Sequence, residues 1–169
     1  QELLNQLGVE FKIIHQEIDE SFSNVLKSSM ITDYLAKKKS SILVKNLKKN
    51  DLLITSDTIV WHKNIALGKP KNRIEAFKMI KSLENSYHEV ITSICISTVN
   101  FQVIVNEKTL VFFDSIDEND LLYYTKTSDV LDRAGSYGIQ DYIGHVGVKK
   151  IEGSYSNVLG FPTNLFVKT

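Results

Sequence analysis

Ser56-Asp57-Thr58 follows a short apolar run, Leu52-Leu53-Ile54-Thr55, of the kind that forms a strand buried on both faces. A carboxylate at the carboxyl end of such a strand sits where open α/β sheets place their ligands. Partial burial there would raise its pKa, and a metal ion would hold it ionised. The plainer alternative is a turn aspartate that hydrogen-bonds its own loop. Gly68-Lys69-Pro70 offers a second chemistry. Glycine permits close approach of the backbone, and Lys69 supplies a point charge suited to phosphate. A lysine on a loop before a helix also shares the positive end of the helix dipole. A solvated loop lysine is the alternative.

Three further groups can contribute. Asp19-Glu20 could provide metal oxygens, because Mg²⁺ is held through one or two carboxylates together with substrate phosphates. Acidic pairs in loops are otherwise simply solvated. Lys37-Lys38-Lys39 forms a mostly solvated helix face, and Lys39 lies closest to the apolar stripe. Tyr137-Gly138-Ile139-Gln140 puts an amide after a glycine-permitted turn, where it could pair with a nucleobase edge or be an ordinary turn glutamine.

Other chemistries fit poorly. His15, His62, His88 and His145 are too scattered for a helical zinc pair, and one cysteine excludes thiolate zinc sites. There is no Gly-x-Ser-x-Gly elbow and no Walker loop. Cys95 lies in an apolar run and reads as a core residue. Trp61 and the Tyr123-Tyr124 pair read as packing groups.

The elements that must position these residues are legible in outline. Gln1 to Leu7 reads as the end of a helix closed by Gly8. Val9 to Ile14 alternates like a short strand. From Thr32 to about Asn46, Ala36, Ser40, Leu43 and Leu47 form a helical stripe. Ile59 to Leu67 reads as a hairpin bending at Lys63-Asn64. Asn72 with Glu75 resembles a capping box, and Phe77, Ile80 and Leu83 continue that helix face. Val90 to Val99 and Phe101 to Phe113 read as two long alternating strands. Asp117 and Asp120 open a short helix over Leu121 to Thr125. Six of the eight glycines, from Gly135 to Gly160, crowd the last third, which predicts a loop-rich rim with short strands before a helix near Pro162. Interleaved strands and helices make the class α/β.

The 169 residues predict a single domain over 1–169. Twenty Lys+Arg balance twenty Asp+Glu, so there is no basic footprint for duplex nucleic acid or an anionic membrane. No apolar run approaches the ~18 residues of a membrane span. A single cysteine removes any disulfide framework and points to the cytoplasm.

Taken together and in order, the pieces resemble the Maf family of nucleoside triphosphate pyrophosphatases. The resemblance is carried by Glu2-Leu3-Leu4 with Leu7-Gly8, Asp19-Glu20, Leu35-Ala36 with Lys39, Ser56-Asp57-Thr58, Gly68-Lys69-Pro70 and His88-Glu89-Val90-Ile91-Thr92. The longest block is Asp132-Arg133-Ala134-Gly135-Ser136-Tyr137-Gly138-Ile139-Gln140. Glu152 to Val158 with Gly160-Phe161-Pro162 closes it. The family implies an elongated α/β fold related to inosine triphosphate pyrophosphatases, with a mixed sheet, flanking helices and two lobes around a cleft.

It also implies a metal-dependent nucleotide diphosphatase that cuts a (deoxy)nucleoside triphosphate to the monophosphate and pyrophosphate. Asp57 matches the family's acid-base aspartate. Thr58 and Gln140 match specificity positions of the subgroup acting on dTTP and UTP. In this chemistry Asp57 and Glu20 would bind Mg²⁺ or Mn²⁺, while Lys39 and Lys69 would hold the phosphates. Members are cytoplasmic and often homodimeric, with a housecleaning role and a reputation for arresting septum formation. The family opens with a strand and a Ser-x-Ser-Pro-Arg-Arg loop before the Glu-Leu-Leu helix. This sequence begins after that point and stops at Thr169, early in what should be a terminal helix. Those arginines are expected to grip the triphosphate, so the chain as written is expected to be a poor enzyme. That departure motivates one alternative, a non-catalytic nucleotide-binding regulator.

Overall fold

The computed structural model describes residues 1–169. Helix α1 (Glu2–Gln6) ends as its sequence predicts. Gly8 takes the left-handed conformation (φ 70°), letting its N–H donate to the Asn5 carbonyl at 2.9 Å and the Val9 N–H to Leu4 at 3.2 Å. The expected strand over Val9 to Ile14 does not form. Alternation marks a strand only where a sheet covers one face, and here Ile13 and Ile14 are both more than half exposed.

Helix α2 (Ser29–Leu43) begins three residues before the expected Thr32 and runs into a single 3₁₀ turn, Val44–Asn46. It buries Ile31, Thr32, Leu35, Ala36 and Ser40 against the sheet. Strand β1 (Leu53–His62) runs straight through Ser56-Asp57-Thr58. The expected strand end at Asp57 is therefore corrected: Asp57 is mid-strand, opposite Ser93, and Thr58 is opposite Thr92. Cross-strand pairing overrides the turn preference of Ser, Asp and Thr. Lys63 and Asn64 (φ 47° and 65°) form the tight hairpin turn into β2 (Ile65–Leu67).

Helix α3 (Arg73–Leu83) follows its Asn72 cap, whose side chain accepts from the Glu75 N–H at 2.9 Å. Strands β3 (Tyr87–Ser97) and β4 (Gln102–Phe113) form the long hairpin. β3 is central and buried along nearly its whole length, so it lacks the alternation expected of it. Helices α4 (Glu118–Thr127) and α5 (Tyr142–Gly147) lead to β5 (Val148–Glu152), the one strand of the last third. Short helices α6 (Tyr155–Val158) and α7 (Thr163–Lys168) complete the chain. The sheet order is β2-β1-β3-β4-β5 and every pairing is antiparallel, so the expected mixed sheet is antiparallel throughout.

A core lies on each face of the sheet. The larger joins Val60, Val90 and Val111 to Ile80, Leu83, Leu121 and Tyr124, and the smaller joins Ile59 and Ile91 to Ile31 and Leu35 under α2. Each fully buried aliphatic contributes about 1.5–3 kcal/mol. Cys95 is fully buried, as expected of a core residue. Tyr123 and Tyr124 separate, with Tyr123 59% exposed and Tyr124 in the core. No helix is long and apolar enough to cross a membrane.

Candidate active site

A strand alternates its side chains between faces, so Asp57 and Thr58 point to opposite sides of the sheet. The Asp57 face is covered by α2, anchored where the Thr55 hydroxyl donates to the Ala36 carbonyl at 2.8 Å. One turn on from Ala36, Lys39 turns inward while Lys37 stays exposed. The Lys39 ammonium donates to Asp57 Oδ1 at 2.5 Å and pairs with Glu20 Oε1 at 2.9 Å. Glu20 arrives on the loop before α2, and the neighbouring Asp19 reaches Lys38 at 3.4 Å.

Burial pushes the Asp57 carboxyl above its ordinary range. The Lys39 hydrogen bond and charge pull it back, and Glu20 pushes it further up. Burial works against the Lys39 charge as well, but Asp57 and Glu20 together outweigh it and raise the ammonium pKa. The difference follows from depth, since the Asp57 side chain is 9% exposed and that of Lys39 22%.

Two carboxylate oxygens converging on one ammonium define a point where positive charge is already stabilised. No set of three His, Cys, Asp or Glu side chains gathers into a closed metal cage. Two carboxylates facing an open cleft suit a hard divalent cation that takes its remaining oxygens from a phosphate ligand and water. Asp57 and Glu20 therefore fit Mg²⁺ or Mn²⁺ in kind and number.

The opposite face is neutral. The Thr58 hydroxyl lies 2.9 Å from that of Thr92 and 3.5 Å from the Gly160 carbonyl. Thr92 in turn donates to the Asn157 carbonyl at 3.2 Å. Beside Thr58, residues 134–140 come close to β1 because Gly135 (φ 69°) has no Cβ, which would stand 2.7 Å from Val60 Cγ2. That approach places Gln140, with its side chain exposed, on the same cleft wall.

The segment bearing Gln140 is pinned from beneath. The buried Tyr137 hydroxyl meets His88 Nε2 at 2.6 Å, and His88, Phe113 and Tyr137 stack edge to face. The Tyr124 hydroxyl donates to Asp141 at 2.9 Å and accepts the Gly138 N–H at 3.2 Å. Arg133 pairs with the same aspartate at 3.2 Å.

Lys69 lies on the β2–α3 connection and pairs with Asp132 across the cleft mouth at 2.6 Å. That hydrogen bond raises the Lys69 pKa and lowers that of Asp132. The expected help from the α3 dipole is corrected. Asn72 caps that helix, Glu75 accepts the Lys71 N–H at 2.8 Å, and neither Asn72 nor Arg73 lines the cleft.

The structure thus gathers Glu20, Lys39, Asp57, Thr58, Lys69 and Gln140 around one cleft of about 460 Å³. Sequence reasoning missed Thr92, Asn157, Tyr124 and Asp132, which support or pair with these groups. Thr92 carried one signal, a hydroxyl next to the apolar run Val90-Ile91.

The model of the family described as "Maf-like protein" matches residues 1–169. The chain is 47% identical to a dTTP/UTP pyrophosphatase of Christiangramia forsetii over 169 residues, covering all of this chain and 86% of that protein. It is 44% identical to one of Flavobacterium johnsoniae over 163 residues, 96% of this chain and 84% of the relative. With a Bacteroides fragilis protein of the same name it shares 41% over 162 residues, 95% of this chain and 84% of the relative.

Proposed function

The chain belongs to the Maf-like protein family, and from that premise we propose that it is a nucleoside triphosphate pyrophosphatase acting on dTTP and UTP. The observation that carries this reading is the ion cluster of Asp57, Lys39 and Glu20 on one side of a cleft whose other side offers neutral hydrogen-bonding groups. Phosphoryl transfer asks for charge at the phosphates and a base at the attacking water, whereas a nucleobase asks for uncharged polar groups.

Asp57 takes the proton of a water that attacks the α-phosphorus. As the new oxygen–phosphorus bond forms, the bond from that phosphorus to the bridging oxygen breaks, and pyrophosphate leaves with the electron pair. Burial makes Asp57 a stronger base than an ordinary carboxylate, and Lys39 keeps it ionised. Lys39 and Lys69 hold the triphosphate and offset charge on the leaving group. Asp57 and Glu20 would hold a divalent ion, Mg²⁺ or Mn²⁺, which when bound would supply further positive charge for the phosphates. Gln140 and Thr58 face the pyrimidine. The activity belongs with the nucleotide pools of the cytoplasm, a setting that suits the single unpaired Cys95.

Pyrophosphate release from a nucleotide panel, with Mg²⁺ and with Mn²⁺, tests the reading. Release from dTTP and UTP without free phosphate is expected. Nucleotide-dependent stabilisation, ~2.7 kcal/mol at 100 times Kd, with no release from any nucleotide would instead favour the non-catalytic regulator.

A further inference from the structure

We propose that Thr92 is a positioning residue that keeps the Thr58 hydroxyl proton turned inward, so that Thr58 meets the cleft with a lone pair and selects a base whose N3 bears a proton. The inference rests on the cleft being a pyrimidine nucleotide site. A threonine hydroxyl has one proton and two lone pairs. When Thr92 spends its proton on the Asn157 carbonyl, it can only accept from Thr58, 2.9 Å away. When Thr92 instead donates to Thr58, the Thr58 proton has the Gly160 carbonyl at 3.5 Å. The first arrangement uses the shorter bonds, 2.9 and 3.2 Å, and commits the Thr58 proton to Thr92, whereas the second leaves it only the 3.5 Å contact, so the geometry favours the first.

The acceptors are fixed in place. Asn157 is fully buried, and its amide donates to the Val90 carbonyl at 3.0 Å and the Thr109 hydroxyl at 2.9 Å. The Gly160 N–H adds a bond to the Asn157 carbonyl at 2.9 Å. Gln140 has no such constraint. Its exposed amide can turn half a revolution and present donor or acceptor at the same point, so it fits uracil and cytosine equally. Uracil and thymine carry a proton on N3, whereas cytosine N3 is a bare acceptor. Against an oxygen that meets N3 and offers only a lone pair, with Gln140 left to the group at position 4, the first two form a hydrogen bond and cytosine places lone pair against lone pair. Discrimination between these bases therefore falls to Thr58, whose polarity Thr92 sets.

The test is equilibrium binding of UMP and CMP to the full chain, with kcat/KM for UTP and CTP measured alongside. Thr92→Val keeps the side-chain shape and removes the hydroxyl, and Thr92→Ser restores it. The UMP-over-CMP preference is expected to fall about tenfold or more in Thr92→Val and to persist in Thr92→Ser. An unchanged preference in Thr92→Val, or equal loss in both variants, overturns the proposal. Thr58→Val, at a half-buried position, covers the case in which Thr92→Val does not fold. It is expected to weaken UMP about tenfold more than CMP, and equal weakening overturns the proposal. A wild type that binds neither monophosphate and cleaves neither triphosphate overturns the functional reading as well. A wild type that prefers UMP beside an unaffected Thr92→Val overturns only this one.

Discussion

Asp57 and Thr58 are neighbours in sequence, yet the two faces of β1 that they occupy are built on opposite principles. On the Asp57 side, two carboxylates stand 2.5 and 2.9 Å from one ammonium under α2. On the Thr58 side, the Thr58 and Thr92 hydroxyls, the Asn157 and Val90 carbonyls and the Asn157 amide N–H group pair with one another without charge. The charged face must hold groups partly desolvated, which is tolerable only because each has an opposite partner. The neutral face must hold groups oriented, because a hydroxyl or amide discriminates only when its rotation is fixed. A strand with period two sets the two environments side by side and keeps them apart, so one substrate can meet both.

The largest expected effect comes from breaking the charged face alone. Lys39→Met leaves Asp57 and Glu20 as neighbouring like charges and removes the ammonium proposed to hold the phosphates. Turnover should fall about 10²-fold or more. Because Lys39 lowers the Asp57 pKa against the lift of burial, its loss should also move the acid limb of the kcat–pH profile to higher pH. A limb that stays in place would separate Asp57 from the base role. On the neutral face, Gln140→Ala should raise KM for UTP and CTP alike and leave the preference between them unchanged, while kcat for UTP stays within a few-fold. The side chain is exposed, so stability should change by less than about 0.5 kcal/mol. A kcat loss as large as that of Lys39→Met would dissolve the division between the faces.

A smaller effect sharpens the comparison from below the neutral face. Burial, with His62 nearby, pushes the His88 imidazole down to about 3. The unfolded chain therefore binds the proton more readily than the folded one. His88 favours the fold fully above its unfolded pKa of 6.5 and loses that contribution as pH falls from 6.5 toward 3. The loss runs at about 1.4 kcal/mol per pH unit. Stabilities from urea unfolding taken between pH 7 and pH 4 should fall with a slope that approaches this value below pH 6, and the fall should be smaller in His88→Asn. Equal slopes would mean that His88 is not held neutral beneath Tyr137.

The sequence told more about the charged face than about the neutral one. Asp57, Lys39, Glu20 and Lys69 are residue types whose charge announces chemistry, and the helical stripe placed Lys39 beside Ser40 on the inner side of α2. The helices and the long β3–β4 hairpin were legible because their periodicity and caps are local signals. Asp57 as a strand end was misread, because Ser-Asp-Thr carries turn propensity and only pairing with Ser93 and Thr92 keeps it extended. Val9 to Ile14 was misread for the converse reason, alternation without a sheet to meet. The supports of the neutral face were the least legible. Thr92, Asn157, Tyr124 and His88 are ordinary core types in sequence, and their work depends on contacts 14 to 65 residues apart, as from Tyr124 to Gly138 and from Thr92 to Asn157.

The division of labour across β1 is tested most directly by pyrophosphate release from UTP and CTP in Asp57→Asn beside the wild type. The account predicts that both rates fall about 10³-fold, within the range for losing a general base, and that the UTP-to-CTP ratio stays at its wild-type value. Turnover near wild type, or a ratio that collapses along with the rate, would contradict it.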